Sequence, residues 1–313
     1  MYRFWDLVTR PILEALEPSV VLEVGSDEGL NTRLLLDYFR ERGGVLHVVD
    51  PLPKYDVDAW RQEYGEAFVF HRDLSLNVLS GIESPDLALI DGDHNWYTVF
   101  NELKLLEQNA RNSGRGLPVM LLHDVGWPYG RRDLYYEPKN IPPEYRHTYR
   151  RGGLERGRSA PRPGDGLNDH LYNADHEGGE RNGVLTAVED FVGQSVEPLD
   201  LLKIPAINGL GILVPRTLQE SNQALGTVIR SFEDFWTESS KSHALVSLVE
   251  KERLKSGIVQ ANLDFKNREL RSLNKDLSRQ LKESQDQQIA TRDLYDDDAW
   301  LRIQNQNLKS RNQ

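Results

Sequence analysis

The chain has no cysteine and no long hydrophobic run. Without cysteine, its 313 residues can form no disulfide, no thiolate nucleophile and no cysteine-ligated zinc site. No window approaches the ~18 consecutive apolar residues that would span a bilayer, so we predict no transmembrane segment. The N-terminal stretch MYRFWDLVTRPILEALEP carries scattered charges instead of an apolar core. We therefore expect no signal peptide and a cytoplasmic location.

The chain also lacks an excess of positive charge. The chain has 38 Lys and Arg against 49 Asp and Glu, which gives a formal net charge of −11. Nucleic-acid binding needs a basic surface that neutralises phosphates. We therefore expect no nucleic-acid partner.

Two regions differ in composition on either side of about residue 216. The first, 1–216, alternates short apolar runs with helical patterns, and the second, 217–313, is charged, rich in Gln and Asn, and helical throughout. Runs that are apolar on both faces and alternate with helices are typical of a parallel sheet covered on both sides. We predict an α/β, doubly wound, mostly parallel seven-stranded sheet followed by a long helix. The predicted strands are 18–25, 44–51, 67–73, 86–93, 117–125, 199–205 and 210–216, the last two forming a hairpin around INGLG.

Leucines recur at heptad spacing in the second region. Leu263, Leu270 and Leu277 are seven residues apart, and Asn267 and Asn274 lie among them. This pattern predicts a coiled coil through which the chain self-associates as a dimer or trimer, because buried Asn residues fix register and strand number. The alternative is a long solvated helix that packs on its own domain.

Acidic side chains and histidines follow the predicted strands. Ligands of an open parallel sheet bind outside the carboxyl ends of its strands. One acid there is usually a helix cap, and Asp93 is a candidate cap for the helix that starts near Asn95. A whole row of acids on one rim would repel one another unless a cation or a polyhydroxylated ligand lay among them. The row comprises Asp50, Asp73, Asp91, Asp93 with His94, and His123 with Asp124.

A segment at 126–182 interrupts the alternation of strands and helices. It is rich in Gly, Pro, Arg and Tyr, and we interpret it as a lid over the acceptor of the reaction. Aromatic faces and arginines are suited to sugars that bear acids or phosphates. The alternative is a disordered basic loop. The candidate contacts are Arg131, Arg132, Tyr135, Tyr136, Tyr145, Arg146, Tyr149, Arg150 and Arg151.

Taken together, these motifs resemble a known enzyme family. The turn ExGxxxG after strand one, the acids after strands two and three, and the IDGDH and LLHDV elements resemble class I S-adenosylmethionine-dependent methyltransferases. Within that class they are similar to the metal-dependent O-methyltransferases of the macrocin and cephalosporin-hydroxylase type. The resemblance covers about residues 10–216.

The resemblance implies a role for each motif residue. Asp91 would act in catalysis with His94, which would be the general base. The cation would be Mg²⁺, with Mn²⁺ as the alternative, since His123 stands where relatives often carry an acid. The implied metal ligands are Asp91, His123 and Asp124. The implied S-adenosylmethionine contacts are Glu23, Gly25, Ser26 and Gly29 at the methionine end, Asp50 at the ribose, and Asp73 with Leu74 near the adenine.

Three functions remain open on sequence alone. The first is a metal-assisted O-methyltransferase that modifies a hydroxyl of a sugar or glycan in bacterial polysaccharide or glycoconjugate biosynthesis. The second is a nicotinamide-dependent oxidoreductase on the same fold, although the third glycine of the dinucleotide turn is missing. The third is a non-catalytic coiled-coil scaffold with a degenerate methyltransferase domain.

Overall fold

A computed structural model describes residues 1–164 and 166–311, with side chains of the last helix described up to 289 and at 298, 300, 301 and 302. The strands are β1 (Val20–Val24), β2 (Val45–Val49), β3 (Phe68–His71), β4 (Leu87–Ile90), β5 (Val119–His123), β6 (Leu134–Tyr135), β7 (Tyr149–Arg151), β8 (Tyr172–Ala174), β9 (Leu199–Ile204) and β10 (Leu210–Pro215). The α-helices are α1 (Arg10–Leu16), α2 (Leu30–Arg42), α3 (Val57–Tyr64), α4 (Ser75–Val78), α5 (Trp96–Ser113), α6 (Val184–Gln194), α7 (Arg216–Ser221), α8 (Gln223–Trp236) and α9 (Lys241–Arg311).

The main sheet has seven strands in the order β3-β2-β1-β4-β5-β10-β9. Strands β1 to β5 are parallel to one another, while β10 runs antiparallel to both β5 and β9. The predicted doubly wound, mostly parallel sheet is therefore confirmed, as is the closing hairpin. The strand order reverses between β1 and β4, and this is the switch point at which sheets of this kind bind ligands.

Helices cover both faces of the sheet. Every residue of β1 and of β4 is buried, as expected for strands that pack on two sides. One face packs against α1, α2 and α8, and the other against α5 and α6. This double layer holds the carboxyl ends of β1, β4 and β5 together at one rim.

The 126–182 segment is ordered wherever it is described, so the disordered-loop alternative is not supported. It contains a second sheet in the order β6-β8-β7. The Asp133 carboxylate is fully buried and accepts hydrogen bonds from the backbone of Trp96 and Gly183 at 2.7 Å and from the Tyr135 hydroxyl at 2.8 Å. Arg132 is buried too, and its guanidinium donates to the backbone carbonyls of Ala174 and Ser159. The interpretation of Arg132 and Tyr135 as acceptor contacts is therefore wrong, because both stabilise the interior of the segment.

The compact part of the chain extends beyond the last strand. Residues Met1–Val259 form one compact unit, in which α8 buries Leu225, Ile229 and Phe232. Residues Gln260–Gln313 form the second unit, which is helical as far as Arg311. Among the described residues, no helix combines the length and the apolar content that a membrane crossing requires. The heptad leucines Leu263, Leu270 and Leu277 are exposed, and so are Leu273 and Leu281 of the same helix.

Candidate active site

Four predicted residues from two strand ends meet at the rim. Asp91 and His94 follow β4, and His123 and Asp124 lie at the end of the neighbouring strand β5. His123 Nδ1 lies 3.0 Å from Asp91 Oδ1 and 3.0 Å from Asp124 Oδ2, and His94 Nε2 lies 3.0 Å from the same Asp124 oxygen. Ligand atoms of Asp91, His123 and Asp124 lie within 4.8 Å of one another, a spacing that could hold a metal ion.

The two histidines bring positive charge to this cluster. Burial alone would lower the pKa of both imidazoles, but the facing carboxylates outweigh it and raise the pKa of His94 to about 9 and of His123 to about 10. Burial would raise the pKa of Asp124, yet the two imidazoles hold that pKa well below its usual value. The Met1 α-ammonium adds a further contact, 2.7 Å from Asp91 Oδ2. The expected row of mutually repelling acids is therefore balanced by histidines on the same rim.

One hydrogen bond fixes the orientation of the His123 ring. Its Nε2 lies 2.9 Å from the backbone carbonyl oxygen of Ile207. A carbonyl only accepts, so Nε2 carries a proton, and in the neutral ring Nδ1 is then left with a lone pair. Metal-ligating histidines are commonly oriented in this way by a hydrogen bond from the other ring nitrogen. The structure therefore places the Nδ1 atom of His123 between the two carboxylates.

The helix that follows β4 is capped by Asn95. The Asn95 side chain accepts a hydrogen bond from the Thr98 backbone at 2.8 Å. Asp93 instead accepts from the Thr98 hydroxyl at 3.0 Å. The interpretation of Asp93 as the cap is therefore wrong; its neighbour Asn95 has the extended backbone and the side-chain reach that a cap requires.

The glycine turn after β1 packs directly against the backbone of Asp91. Gly25 has φ +83°, and a Cβ atom added to it would lie 2.4 Å from the Asp91 carbonyl oxygen. No other residue fits a left-handed position that is also this crowded. The turn is held from β2, because Asp50 Oδ2 accepts from the backbone of Ser26 at 2.8 Å and of Asp27 at 3.0 Å. The residues predicted to hold the methionine end and the ribose of the cofactor are thus joined to each other.

The remaining predicted cofactor residues have internal partners as well. Glu23 is buried, and burial raises its pKa to about 7; Asn31 and Thr32 of α2 donate to its carboxyl group at 2.8 and 2.6 Å. Asp73 is exposed and accepts from the Leu74 backbone at 2.7 Å. Gly29 starts α2 with φ +76°. The roles of these residues toward a cofactor stay predictions.

Two tyrosines of the 126–182 segment flank His94. The ring centroids of Tyr129 and Tyr136 lie 5.8 and 5.9 Å from that of His94. Tyr136 is 53% exposed, whereas Tyr129 is buried and its hydroxyl accepts from Asn168 at 2.7 Å. Tyr136 was among the acceptor contacts predicted from sequence, but Tyr129 was not. The only sequence feature that could have indicated Tyr129 is its position shortly after the LLHDV element. Two of the predicted arginines are paired elsewhere, Arg131 with Glu189 and Arg150 with Asp175.

Comparison with known proteins supports one of the functions left open. Residues 22–125 match the family described as "Methyltransferase domain". This range begins in β1 and ends just after Asp124, so it contains the glycine turn, the β2 acid and the four-residue cluster. The match favours methyl transfer over hydride transfer.

Several solved structures are similar to this chain. A Podospora anserina methyltransferase bound to S-adenosylhomocysteine shares 18% identity over 66% of this chain and 76% of that one, with a TM-score of 0.38. A Burkholderia thailandensis 1,6-didemethyltoxoflavin-N1-methyltransferase shares 15% identity over 68% of this chain and 82% of that one, with a TM-score of 0.35. Human N-acetylserotonin methyltransferase shares 16% identity over 68% of this chain and 53% of that one, with a TM-score of 0.36.

No curated protein matches the chain. The assignment rests instead on three observations that agree. They are the strand order, the crowded glycine turn at the switch point between β1 and β4, and the family match over the same residues. Residues 22–125 therefore match a methyltransferase domain, and the strand order and the glycine turn agree with a class I, S-adenosylmethionine-dependent methyltransferase.

Proposed function

We propose that the protein is a divalent-metal-assisted O-methyltransferase that acts on a hydroxyl of a sugar or glycan in bacterial polysaccharide or glycoconjugate biosynthesis. The observation that carries the proposal is the convergence of Asp91, His123 and Asp124 within 4.8 Å, with His94 beside them. Two carboxylate oxygens and one imidazole nitrogen suit Mg²⁺ or Mn²⁺.

The rim fits the proposed cofactor. Asp50 Oδ1 accepts a single hydrogen bond, from the Leu52 backbone at 2.8 Å, so it keeps acceptor capacity for a ribose hydroxyl. Leu52 is 81% exposed beside this acid, and Leu30, after the glycine turn, is 48% exposed. Exposed apolar side chains next to such an acceptor are suited to a nucleoside with a flat base and a sugar.

The cluster also fits a divalent cation. Asp91 Oδ1 faces His123, while its other oxygen meets the Met1 ammonium, so one oxygen is directed into the cluster. Asp124 Oδ2 faces both histidines. A cation bound there would replace the protons that now neutralise the carboxylates.

Methyl transfer to a hydroxyl forms an O–CH₃ bond, breaks the S–CH₃ bond and releases a proton. A bound divalent cation would orient the acceptor hydroxyl and lower its pKa. His94 is positioned to take the proton at Nε2, and Asp124 stabilises the imidazolium that results. Without a cation, the facing carboxylates raise the pKa of His94 to about 9, so His94 would act as a base only after a bound cation had displaced the proton that it holds.

The acceptor would lie against the two tyrosines. Tyr136 presents a half-exposed ring next to His94, and Tyr129 supports the imidazole from the interior. Aromatic faces that adjoin polar groups bind the apolar faces of sugar rings. The 126–182 segment thereby brings an aromatic surface to the reacting atoms.

The test is a methyl-transfer assay with S-adenosylmethionine carrying a labelled methyl group. Monosaccharides, nucleotide sugars, catechols and primary amines serve as acceptors, each with Mg²⁺, with Mn²⁺ and with a chelator. The proposal predicts label on a sugar oxygen, identified by NMR of the product, and loss of turnover with the chelator. Label on an amine, or full turnover with the chelator, would overturn the acceptor or the metal part respectively.

Asp91→Asn and His94→Gln serve as site variants in the same assay. Wild-type turnover in both would overturn the site and favour another one on the domain. His170→Gln is a matched control, because His170 lies on the 126–182 segment with its side chain 72% exposed.

A further inference from the structure

The hairpin loop between β9 and β10 has an unusual backbone. Ile207 and Asn208 have φ values of +50° and +65°, and Gly209 follows with φ +90°. A left-handed conformation is unfavourable for a non-glycine residue, and such residues persist where the surroundings hold them in place. Neighbouring contacts must therefore fix this loop.

The loop contacts both adjacent ligands of the candidate metal site. The Ile207 carbonyl accepts from His123 Nε2 at 2.9 Å, and the Asn208 amide Nδ2 donates to Asp124 Oδ1 at 3.1 Å. One contact orients the imidazole and the other orients the carboxylate. Two consecutive loop residues thus support two consecutive ligands.

Arg253, in the first turns of α9, determines which way the Asn208 amide faces. Its guanidinium donates to Asn208 Oδ1. Since a guanidinium only donates, it must face the amide oxygen, and the amide NH₂ is then directed to the other side. That side is Asp124, an acceptor. Arg253 thereby turns the amide into a donor toward the metal site.

Glu250 holds Arg253 and the loop together. It is 8% exposed, and its carboxylate accepts from the Asn208 backbone at 2.8 Å and from Arg253 Nε and a terminal nitrogen at 2.8 Å each. The Asn208 carbonyl, in turn, accepts from Gly126 at 2.6 Å. Every hydrogen-bonding group of Asn208 is therefore engaged.

We propose that Glu250 and Arg253 of α9 are positioning residues that act through Asn208 and Ile207 to hold Asp124 and His123 in metal-binding geometry. This inference rests on the metal site of the proposed function. It makes the start of the long helix part of the support of the active site. Replacing residues that orient metal ligands through hydrogen bonds typically changes metal affinity by about 10–100-fold.

The test is calorimetric titration of the full chain with Mn²⁺ alone, without cofactor or acceptor. Arg253→Met and Glu250→Gln should each weaken Mn²⁺ binding by about 10–100-fold. Arg253→Lys keeps the charge but not the fork that reaches Glu250 and Asn208 together, so it should also weaken binding. Thermal unfolding of every variant shows that the measurements are made on folded protein, and the milder Arg253→Lys serves if Arg253→Met unfolds.

Glu252 and Lys255 provide matched controls two residues away. They form an exposed ion pair on the same helix, with a 2.6 Å contact and about equal exposure of 59% and 58%. Glu252→Gln and Lys255→Met should bind Mn²⁺ like the wild type. Equal binding by Arg253→Met, Arg253→Lys and the wild type would overturn the positioning role alone.

Asp124→Asn separates this inference from the proposed function. If the wild type binds Mn²⁺ and Asp124→Asn does not, the metal site stands, and the α9 variants decide the positioning role. If the wild type binds no Mn²⁺, or if Asp124→Asn binds it equally, the metal site fails and the positioning role fails with it.

Discussion

His94 Nε2 lies 3.0 Å from Asp124 Oδ2, so the imidazole after β4 faces the carboxylate that ends β5. This contact joins the two sequence elements, IDGDH and HD, into one imidazole–carboxylate pair. It also links the candidate base to a candidate metal ligand. Changes at either residue should therefore affect chemistry more than cofactor binding.

Replacing His94 by Gln should lower kcat by about 10²–10⁴-fold, because a positioned base of this kind contributes that much. Gln keeps a polar group of similar reach but cannot take the proton. Calorimetry should show S-adenosylhomocysteine binding close to that of the wild type. If affinity for S-adenosylhomocysteine falls as much as kcat does, His94 acts on the cofactor and the base assignment is wrong.

Gly25→Ala should abolish cofactor binding through a steric effect. Its Cβ atom would lie 2.4 Å from the Asp91 carbonyl oxygen, so either the turn or the end of β4 must move. Gly43→Ala is the control, since Gly43 also has positive φ, +77°, but nothing lies within 4 Å of its added Cβ. Both variants carry the cost of a left-handed alanine, and only Gly25→Ala adds the clash. Equal loss of S-adenosylhomocysteine binding in the two would show that backbone strain alone is responsible.

Much of the fold could be predicted because each central strand is a short apolar run with an acid or glycine at its end. The strand at 86–93, for example, is observed as Leu87–Ile90 and is followed by Asp91 as expected. The site residues of β4 and β5 could be placed together for the same reason, since parallel neighbours end at one rim.

Long-range contacts made the rest unpredictable. The 126–182 segment is ordered by Asp133, whose partner Gly183 is distant in sequence, and no periodic pattern marks that contact. The contact of Asn208 with Asp124 likewise depends on a hairpin loop and a helix that are far from β5 in the chain. The acids of the rim repel one another less than expected, because His94 and His123 acquire positive charge beside them, and their raised pKa values depend on contacts that the sequence does not reveal.

Asp133→Ala should destabilise the domain by about 3 kcal/mol or more. The change leaves the backbone amides of Trp96 and Gly183 and the Tyr135 hydroxyl without their acceptor, and unsatisfied buried donors are costly. Urea unfolding gives the free-energy difference, with exposed Glu144→Ala from the same segment as the control. Similar unfolding free energies for both variants would show that the segment contributes little to stability.

Glu102 should make the protein less stable as pH rises. Burial raises its pKa from 4.5 to about 8, although the Ser75 hydroxyl, 2.5 Å away, opposes this. The folded state therefore holds a proton that the unfolded state releases above pH 4.5, and the unfolding free energy falls from there to about pH 8. Glu102→Gln replaces the titrating carboxyl group by an amide that does not titrate. The unfolding free energy of this variant should therefore fall less than that of the wild type over the same pH range. Parallel pH profiles of the two proteins, measured by urea unfolding, would contradict the raised pKa.

The exposed leucines of the second unit should mediate self-association. Leu263, Leu270 and Leu277 repeat every seven residues, and a solvated helix gains nothing from a stripe of this kind. Leu270→Ser combined with Leu277→Ser should convert a dimer or trimer into a monomer, as measured by sedimentation equilibrium. Leu245→Ser with Leu248→Ser is the control, because these exposed leucines of the same helix lie before residue 263, where the leucine repeat begins. A monomeric wild type would contradict self-association through these leucines, and equal dissociation by both double variants would show that the contact is not specific to the heptad leucines.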